Sequence, residues 1–177
     1  AVETELQRLS NAVAESTAEI KKNRDAVRKE LGEQYAAIFD AHLAMLHDQR
    51  LQEELISAVR ERNWWPEYAV SRTLRRYAKV FQKLDNHISQ RAHDIYDIEK
   101  SLLRNLLGQR RETLASISEP VVILAHNLTP SETANLDRRF VKGFATELGG
   151  PGSHTAIVAE GLEIPAVVGI GPFLADV

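Results

Sequence analysis

Of the six histidines in the chain, His154 alone follows a glycine cluster and opens a helical stretch, in Gly149-Gly150-Pro151-Gly152-Ser153-His154-Thr155-Ala156. Three glycines within four residues let backbone N–H groups approach a ligand closely, and a helix N-terminus adds donors and positive dipole, which suits a phosphate. Neutral imidazole is a nucleophile, and its ordinary pKa of about 6.5 keeps that form abundant near neutrality. Phosphoryl transfer asks for positioning and electrostatic stabilisation more than for a strong base. His154 is therefore the candidate covalent carrier, with Gly149, Gly150, Gly152, Ser153 and Thr155 as supports of the phosphate or of the loop. Ser153 is the candidate phosphate or helix-cap donor. An ordinary tight turn before a helix would use the same glycines, and chemistry alone weighs the two readings evenly.

The other histidines, His42, His47, His87, His93 and His126, lack paired metal-ligand spacing and read as packing or surface residues, so no metal site is expected. His42 falls on an apolar helix face and reads as a structural hydrogen-bonding group. Ser153 beside His154 does not make a hydrolase: adjacent residues at a helix start cannot provide nucleophile and base, and no nucleophile elbow is present.

The elements that must position His154 come in two kinds. Leu6, Val13, Ile20 and Val27, with Leu9 and Leu31, predict one side of a long amphipathic helix. After Gly32, apolar faces at Ile38, Phe39, Leu43, Met45 and Leu46 and at Leu51, Leu55, Ala58 and Val59 predict two short helices meeting at a bend over His47-Asp48-Gln49-Arg50. Pro66 suits a first helical turn, with Trp64 and Trp65 anchoring its start, and Val70, Leu74, Tyr77, Phe81 and Leu84 continue that helix. Ile88, Ala92, Ile95, Ile98, Leu102 and Leu106 predict a last long helix returning antiparallel, ending near Gly108.

At Ser118-Glu119-Pro120 the period changes. Val121 to Leu124 reads as a buried strand, Thr129-Pro130-Ser131-Glu132 as a capping box opening a helix, Val141 to Thr146 as a strand, His154 to Glu160 as a helix and Ala166 to Val168 as another buried strand. The expected division is a helical bundle over 1–117 and a partial α/β domain over 118–177, the α + α/β class. About sixty residues are few for an independent core. Strands are expected to be missing at both ends, making the helical half an insertion in an α/β domain. The start at AVETELQRL, in helical pattern and without Met, also suggests a fragment.

Composition bounds the partners. Hydrophobic residues are 44%, charged residues 27% and the formal net charge −3, with no cysteine. That is ordinary for a folded soluble protein and supplies no basic stripe for nucleic acid, no thiol chemistry and no membrane-spanning run; cytoplasm is the expected compartment.

Residues 149–159, followed by Ile164-Pro165-Ala166-Val167-Val168-Gly169, resemble the phosphohistidine signature shared by Enzyme I, pyruvate phosphate dikinase and phosphoenolpyruvate synthase, with His154 at the phosphorylated position. Leu128 to Thr133 resembles the Enzyme I version of the preceding segment, and Ile38-Phe39-Asp40-Ala41-His42 and Leu102 to Gly108 resemble its helical insert. The resemblance implies an HPr-binding-like bundle inserted into a swivelling β/α phosphohistidine domain. It implies that His154 exchanges phosphate with the histidine of an HPr-like carrier, and that phosphoenolpyruvate and Mg2+ are bound by a C-terminal barrel absent here. It also implies a full-length homodimer formed through that absent part, leaving this piece monomeric. The carrier would dock around Asp40, Met45, His47 and Asp48, where a plain solvated face is an equal reading.

Departures from the resemblance fall in both halves. Pro151 and Gly152 stand where sugar-system members carry Arg and Thr, and Ile170 replaces the threonine of a Gly-Thr-Gly segment whose hydroxyl orients the histidine. Gln49 and Arg50 take often acidic docking positions and Tyr96 an often arginine one, which points to a carrier other than the sugar-transport protein. The competing readings are a swivelling domain of a synthase or dikinase, which the helical insert disfavours, and a non-catalytic docking module, which the retained His154 disfavours.

Overall fold

A computed structural model describes residues 2–84, 91–108, 114 and 117–176. His87 and Ile88 lie outside the described residues. The chain forms two compact units: residues 1–22 with 39–111, and residues 23–38 with 112–177.

In the first unit, helix α1 (Val2–Leu31) begins; it continues past residue 22 into the second. Helix α2 (Glu33–Leu46) starts in the second unit and enters the first at Phe39, and α3 (Gln49–Arg60), α4 (Pro66–Gln82) and α5 (Arg91–Leu106) follow in the first. The residues that set these boundaries act locally. Gly32, at φ +99, takes the left-handed conformation that stops α1 at low steric cost. Asp48 caps α3 by accepting from the Leu51 N–H at 2.9 Å. Pro66 fills the first turn of α4, where its missing N–H costs nothing. Trp65 does not anchor that turn as expected, being 66% exposed; Trp64 instead packs edge-on against Tyr68, with centroids 4.9 Å apart.

Polar pairs define the helix directions. Tyr96 receives the Gln82 amide, while Glu99 receives Ser71 and Arg75, so rising numbers on α5 meet falling numbers on α4. Ser16 of α1 meets Ser101 and Asn105, and Arg8 meets the Leu106 carbonyl, again antiparallel. Phe39, Leu46, Leu55, Val59, Val70, Ile98 and Leu102 are buried between these helices, each removal from water worth about 1.5–3 kcal/mol. His42, at 2% exposure, donates from Nε2 to Asp94 at 3.0 Å. That pairing gives the histidine the structural role its apolar surroundings suggested.

The second unit carries strands β1 (Val121–Ala125), β2 (Val141–Thr146) and β3 (Ala166–Val167), all parallel in the order β1-β2-β3. Parallel neighbours require crossovers. Helix α6 (Pro130–Ala134) lies between β1 and β2, and α7 (His154–Gly161) between β2 and β3. One sheet face, with Ile123 and Phe144, joins a core of Leu128, Leu136, Val141, Val158, Ala159, Leu162 and Ile164. Leu31 also packs on it, and Gly161 admits Leu31 and Tyr35 so closely that a Cβ there would lie 3.1–3.2 Å from them. These contacts accompany the grouping of residues 23–38 with the α/β unit.

Two strand expectations need correction. Val122 is 64% exposed and Leu124 43%, so β1 is half-buried; Val167 is 60% exposed, so β3 is an exposed strand. The register sets Leu124, Ala145 and Val167 side by side on the face opposite Ile123 and Phe144. An apolar β-branched run did not reveal that its two faces differ.

The capping box at α6 is complete. Thr129 Oγ1 accepts from the Glu132 N–H at 3.2 Å, and Glu132 Oε2 accepts from the Thr129 N–H at 2.9 Å. Thr129→Ala is expected to cost about 1 kcal/mol of unfolding free energy, read by chemical denaturation monitored on the second unit's amides.

Candidate functional site

The site is built at the end of β2. Thr146, fully buried, donates its hydroxyl to the Leu148 carbonyl at 2.7 Å, curling the chain as it leaves the strand. Gly149 then takes φ +113, and a Cβ there would stand 3.3 Å from Val168 and 3.5 Å from Ser153 Oγ. Gly150 and Gly152 face open space. Ser153 closes the loop as the N-cap of α7, its Oγ accepting from the Ala156 N–H at 3.3 Å. The serine is expected from sequence to be a phosphate or helix-cap donor; at the cap its oxygen is the acceptor.

His154 is the first residue of α7 and is half-buried. It stands where first-turn N–H groups and the helix dipole favour an anion. Thr155 sits differently from its neighbours: it is buried, and its hydroxyl donates to the Leu128 carbonyl at 2.5 Å. It ties α7 to the start of α6 and so supports the loop through the fold. Gly149, Gly150, Gly152, Ser153 and His154 are thus one contiguous surface element.

The segment after β3 runs back along this loop. Ile170 N–H donates to Thr146, Gly171 N–H to Glu147 and Gly169 N–H to Leu148, at 3.1–3.3 Å. Gly169, at φ +72, presses its Cα face on the Gly149 carbonyl so tightly that a Cβ would lie 2.5 Å from that oxygen. Ile170 is 51% exposed beside the loop.

Sequence reasoning missed Glu147. Its Oε1 accepts from the Phe173 and Leu174 N–H groups at 2.8 and 2.9 Å, and its Oε2 from His126 Nδ1 at 2.5 Å. The His126 bond, then the Leu174 and Phe173 N–H groups, hold its carboxyl down from 4.5 to about 2. No local pattern could announce this, since the partners lie 21 to 27 positions away. The two glycines of Gly169-Ile170-Gly171 were a usable signal of left-handed backbone. Because the folded carboxyl binds its proton more weakly, the native state gains relative stability above pH 4.5 and loses it as pH falls towards 2. Glu147→Gln is expected to flatten that acid limb, measured as urea midpoints between those two pH values.

The expected docking residues lie in the first unit. Asp40 and Met45 are half-buried on α2, and His47 and Asp48 are exposed at the bend. Thr17 gives its hydroxyl proton to the Val13 carbonyl, so His47 Nε2, 3.0 Å away, is the donor to Thr17 Oγ1. Asp48 Oδ1 is committed to its helix cap. Gln49 and Arg50 are exposed next to them, and Tyr96 lies across α4 and α5. Among the described residues, no group of three or more His, Cys, Asp or Glu is placed to hold a metal ion. No helix among them is long and apolar enough to cross a membrane.

A histidine opening a helix behind a glycine loop, on a small parallel sheet and accompanied by a helical unit, has counterparts. The family described as "PEP-utilising enzyme, N-terminal" matches residues 1–91, and "PEP-utilising enzyme, mobile domain" matches residues 117–176. The chain belongs to the family of PEP-utilising enzymes.

Among curated proteins it is similar to the phosphoenolpyruvate-protein phosphotransferases of Geobacillus stearothermophilus, at 44% identity, and Priestia megaterium, at 42%, each over 99% of this chain and 31% of the relative. It therefore spans about a third of those relatives' length. Among solved structures it resembles a solution structure of Enzyme I, with TM-score 0.79 and 38% identity over 99% of this chain and 71% of the other. It also resembles the N-terminal domain of Enzyme 1 – Nitrogen, with TM-score 0.69 and 28% identity over 95% of this chain and 68% of the other. The α + α/β architecture is that of the Enzyme I N-terminal domain.

Proposed function

We propose that this chain is the phosphohistidine-bearing part of a phosphoenolpyruvate–protein phosphotransferase, with His154 carrying the phosphoryl group between phosphoenolpyruvate and the histidine of an HPr-like carrier. The observation that carries this reading is the position of His154 at the first residue of α7, directly after the glycine loop and the Ser153 cap. The names of the similar proteins support it.

In the exchange step, the imidazole lone pair of one histidine attacks phosphorus in line. The P–N bond to the other histidine breaks, and its electron pair returns to the departing ring. No net proton moves, so a strong base is unnecessary. What the protein must supply is alignment and donors for the phosphoryl oxygens, and the glycines with the α7 N-terminus are suited to both. Gly149, Gly150 and Gly152 allow backbone close approach, while Ser153 and Thr155 keep the helix start in place.

The carrier's docking site in this reading is the α2–α3 bend, with Met45 as apolar contact and Asp40, His47 and Asp48 around it. An acidic, partly apolar surface suits a basic partner. Phosphoenolpyruvate, Mg2+ and homodimer contacts belong to regions of the whole protein outside this chain, and the compartment is the cytoplasm.

The test mixes the chain with two donors and reads intact mass at alkaline pH. Phosphoenolpyruvate with Mg2+ alone is expected to leave it unmodified, and a phosphorylated HPr-type carrier to add one phosphoryl group. A chain that stays unmodified with phosphorylated carriers of both the sugar and nitrogen types would defeat the reading.

A further inference from the structure

We infer that Glu147 is a positioning residue for the reaction at His154, its carboxylate clamping the segment after β3 onto the loop that presents the histidine; this rests on the carrier reading of His154. Glu147 belongs to the loop itself, and its carboxylate gathers three donors. Two are successive backbone N–H groups, Phe173 and Leu174, at the start of the 3-10 turn Leu174–Asp176. The third is His126, from the end of β1.

The clamped segment is the one that shapes the loop. From Gly169 to Gly171 it makes three backbone bonds to residues 146–148, and Gly169 fits against the Gly149 carbonyl without room for a Cβ. Gly149 in turn leaves little more than the space of one Cβ between itself and Ser153 Oγ, the cap of the helix that His154 opens: a Cβ there would stand 3.5 Å from that oxygen. A series of bonds and close fits therefore runs from the Glu147 carboxylate through residues 169–174 to Gly149, which the short loop joins to Ser153 and His154. Backbone bonds fix the near end of that segment, and the two bonds to Oε1 fix the far end. Releasing the far end leaves the three backbone bonds alone to hold Gly169 against Gly149, and the surface on which the loop is moulded loosens. The Glu147 side chain is only 12% exposed, and its carboxylate spans two backbone donors and an imidazole.

The test compares Glu147→Ala, Glu147→Met and Glu147→Gln in the full 177-residue chain. Methionine keeps the length without acceptors, and so serves if the alanine variant does not fold. Glutamine keeps one oxygen for the Phe173 and Leu174 N–H groups. Single-turnover transfer from phosphorylated HPr-type carrier is followed against carrier concentration. Amide and His154 ring resonances are recorded without carrier.

Alanine or methionine is expected to lower the saturating rate about 10–100-fold, the scale of a small misplacement of reacting groups. The half-saturating carrier concentration should stay unchanged, because docking uses the other unit. The Gly149–Ser153 amides and the His154 ring should shift, and glutamine should stay within a few-fold of wild type. A folded alanine or methionine variant with wild-type saturating rate, and with the Gly149–Ser153 and His154 resonances unmoved while Phe173 and Leu174 lose exchange protection, would overturn the inference. If wild type accepts no phosphoryl group, the carrier reading fails by itself. The resonances then still decide whether Glu147 holds the His154 loop.

Discussion

His154→Ala is expected to abolish phosphoryl uptake from a phosphorylated carrier while leaving the fold unchanged. The reason is chemical, since no neighbour can substitute. Ser153 Oγ is the α7 cap and Thr155 Oγ1 is committed to Leu128, and neither hydroxyl becomes a competent nucleophile without a base. The histidine is half-buried at a helix start, so truncating it should cost no more than about 1 kcal/mol of stability. Intact mass after exposure to phosphorylated carrier, beside far-UV circular dichroism, separates the two effects. Residual labelling of the variant at more than a few per cent of wild type would show that another group accepts the phosphoryl.

The second large effect is steric. Gly169→Ala would place a Cβ 2.5 Å from the Gly149 carbonyl oxygen and force an L residue to φ +72. The left-handed conformation costs about 1–2 kcal/mol. Overlap with a backbone atom, which cannot rotate away as a side chain could, adds about 1–3 kcal/mol. A loss of about 2–5 kcal/mol in unfolding free energy follows, read by denaturant titration of the second unit. Because the relief has to come from Gly149, phosphoryl transfer should fall as well. Gly150→Ala is the control: open space surrounds that position and its φ is not left-handed, so stability should be nearly unaffected. Equal effects at the two glycines would remove the close fit from the account.

These residues also show how much of the molecule its sequence discloses. Features set within a turn or two of chain were legible: the Gly32 stop, the Asp48 bend, Pro66, the Thr129–Glu132 capping box and the Ser153 cap follow from local backbone chemistry. The placement of His154 at the start of α7 was legible for the same reason. What escaped depends on which distant segments meet. Val122, Leu124 and Val167 are as apolar as their buried neighbours, and only the sheet register puts them on the exposed face. The Thr155 hydroxyl reads as a support of either the phosphate or the loop, and its acceptor, the Leu128 carbonyl, lies 27 residues earlier. The helical residues 23–38 follow the same amphipathic rule as the bundle, yet Leu31 and Tyr35 meet Gly161 of the α/β unit. Glu147 has the same dependence: its partners come from the end of β1 and from beyond β3, segments that only the sheet topology brings to it.

The most direct measurement of the central claim is the location of the transferred group. The chain is incubated with phosphorylated HPr-type carrier, digested at alkaline pH to preserve an acid-labile P–N bond, and the peptides are fragmented. The account predicts one phosphoryl group, on the imidazole of His154, which returns to unphosphorylated carrier when the two are mixed. A group found on any other histidine, or a His154 peptide that stays unmodified while the carrier remains charged, would contradict it.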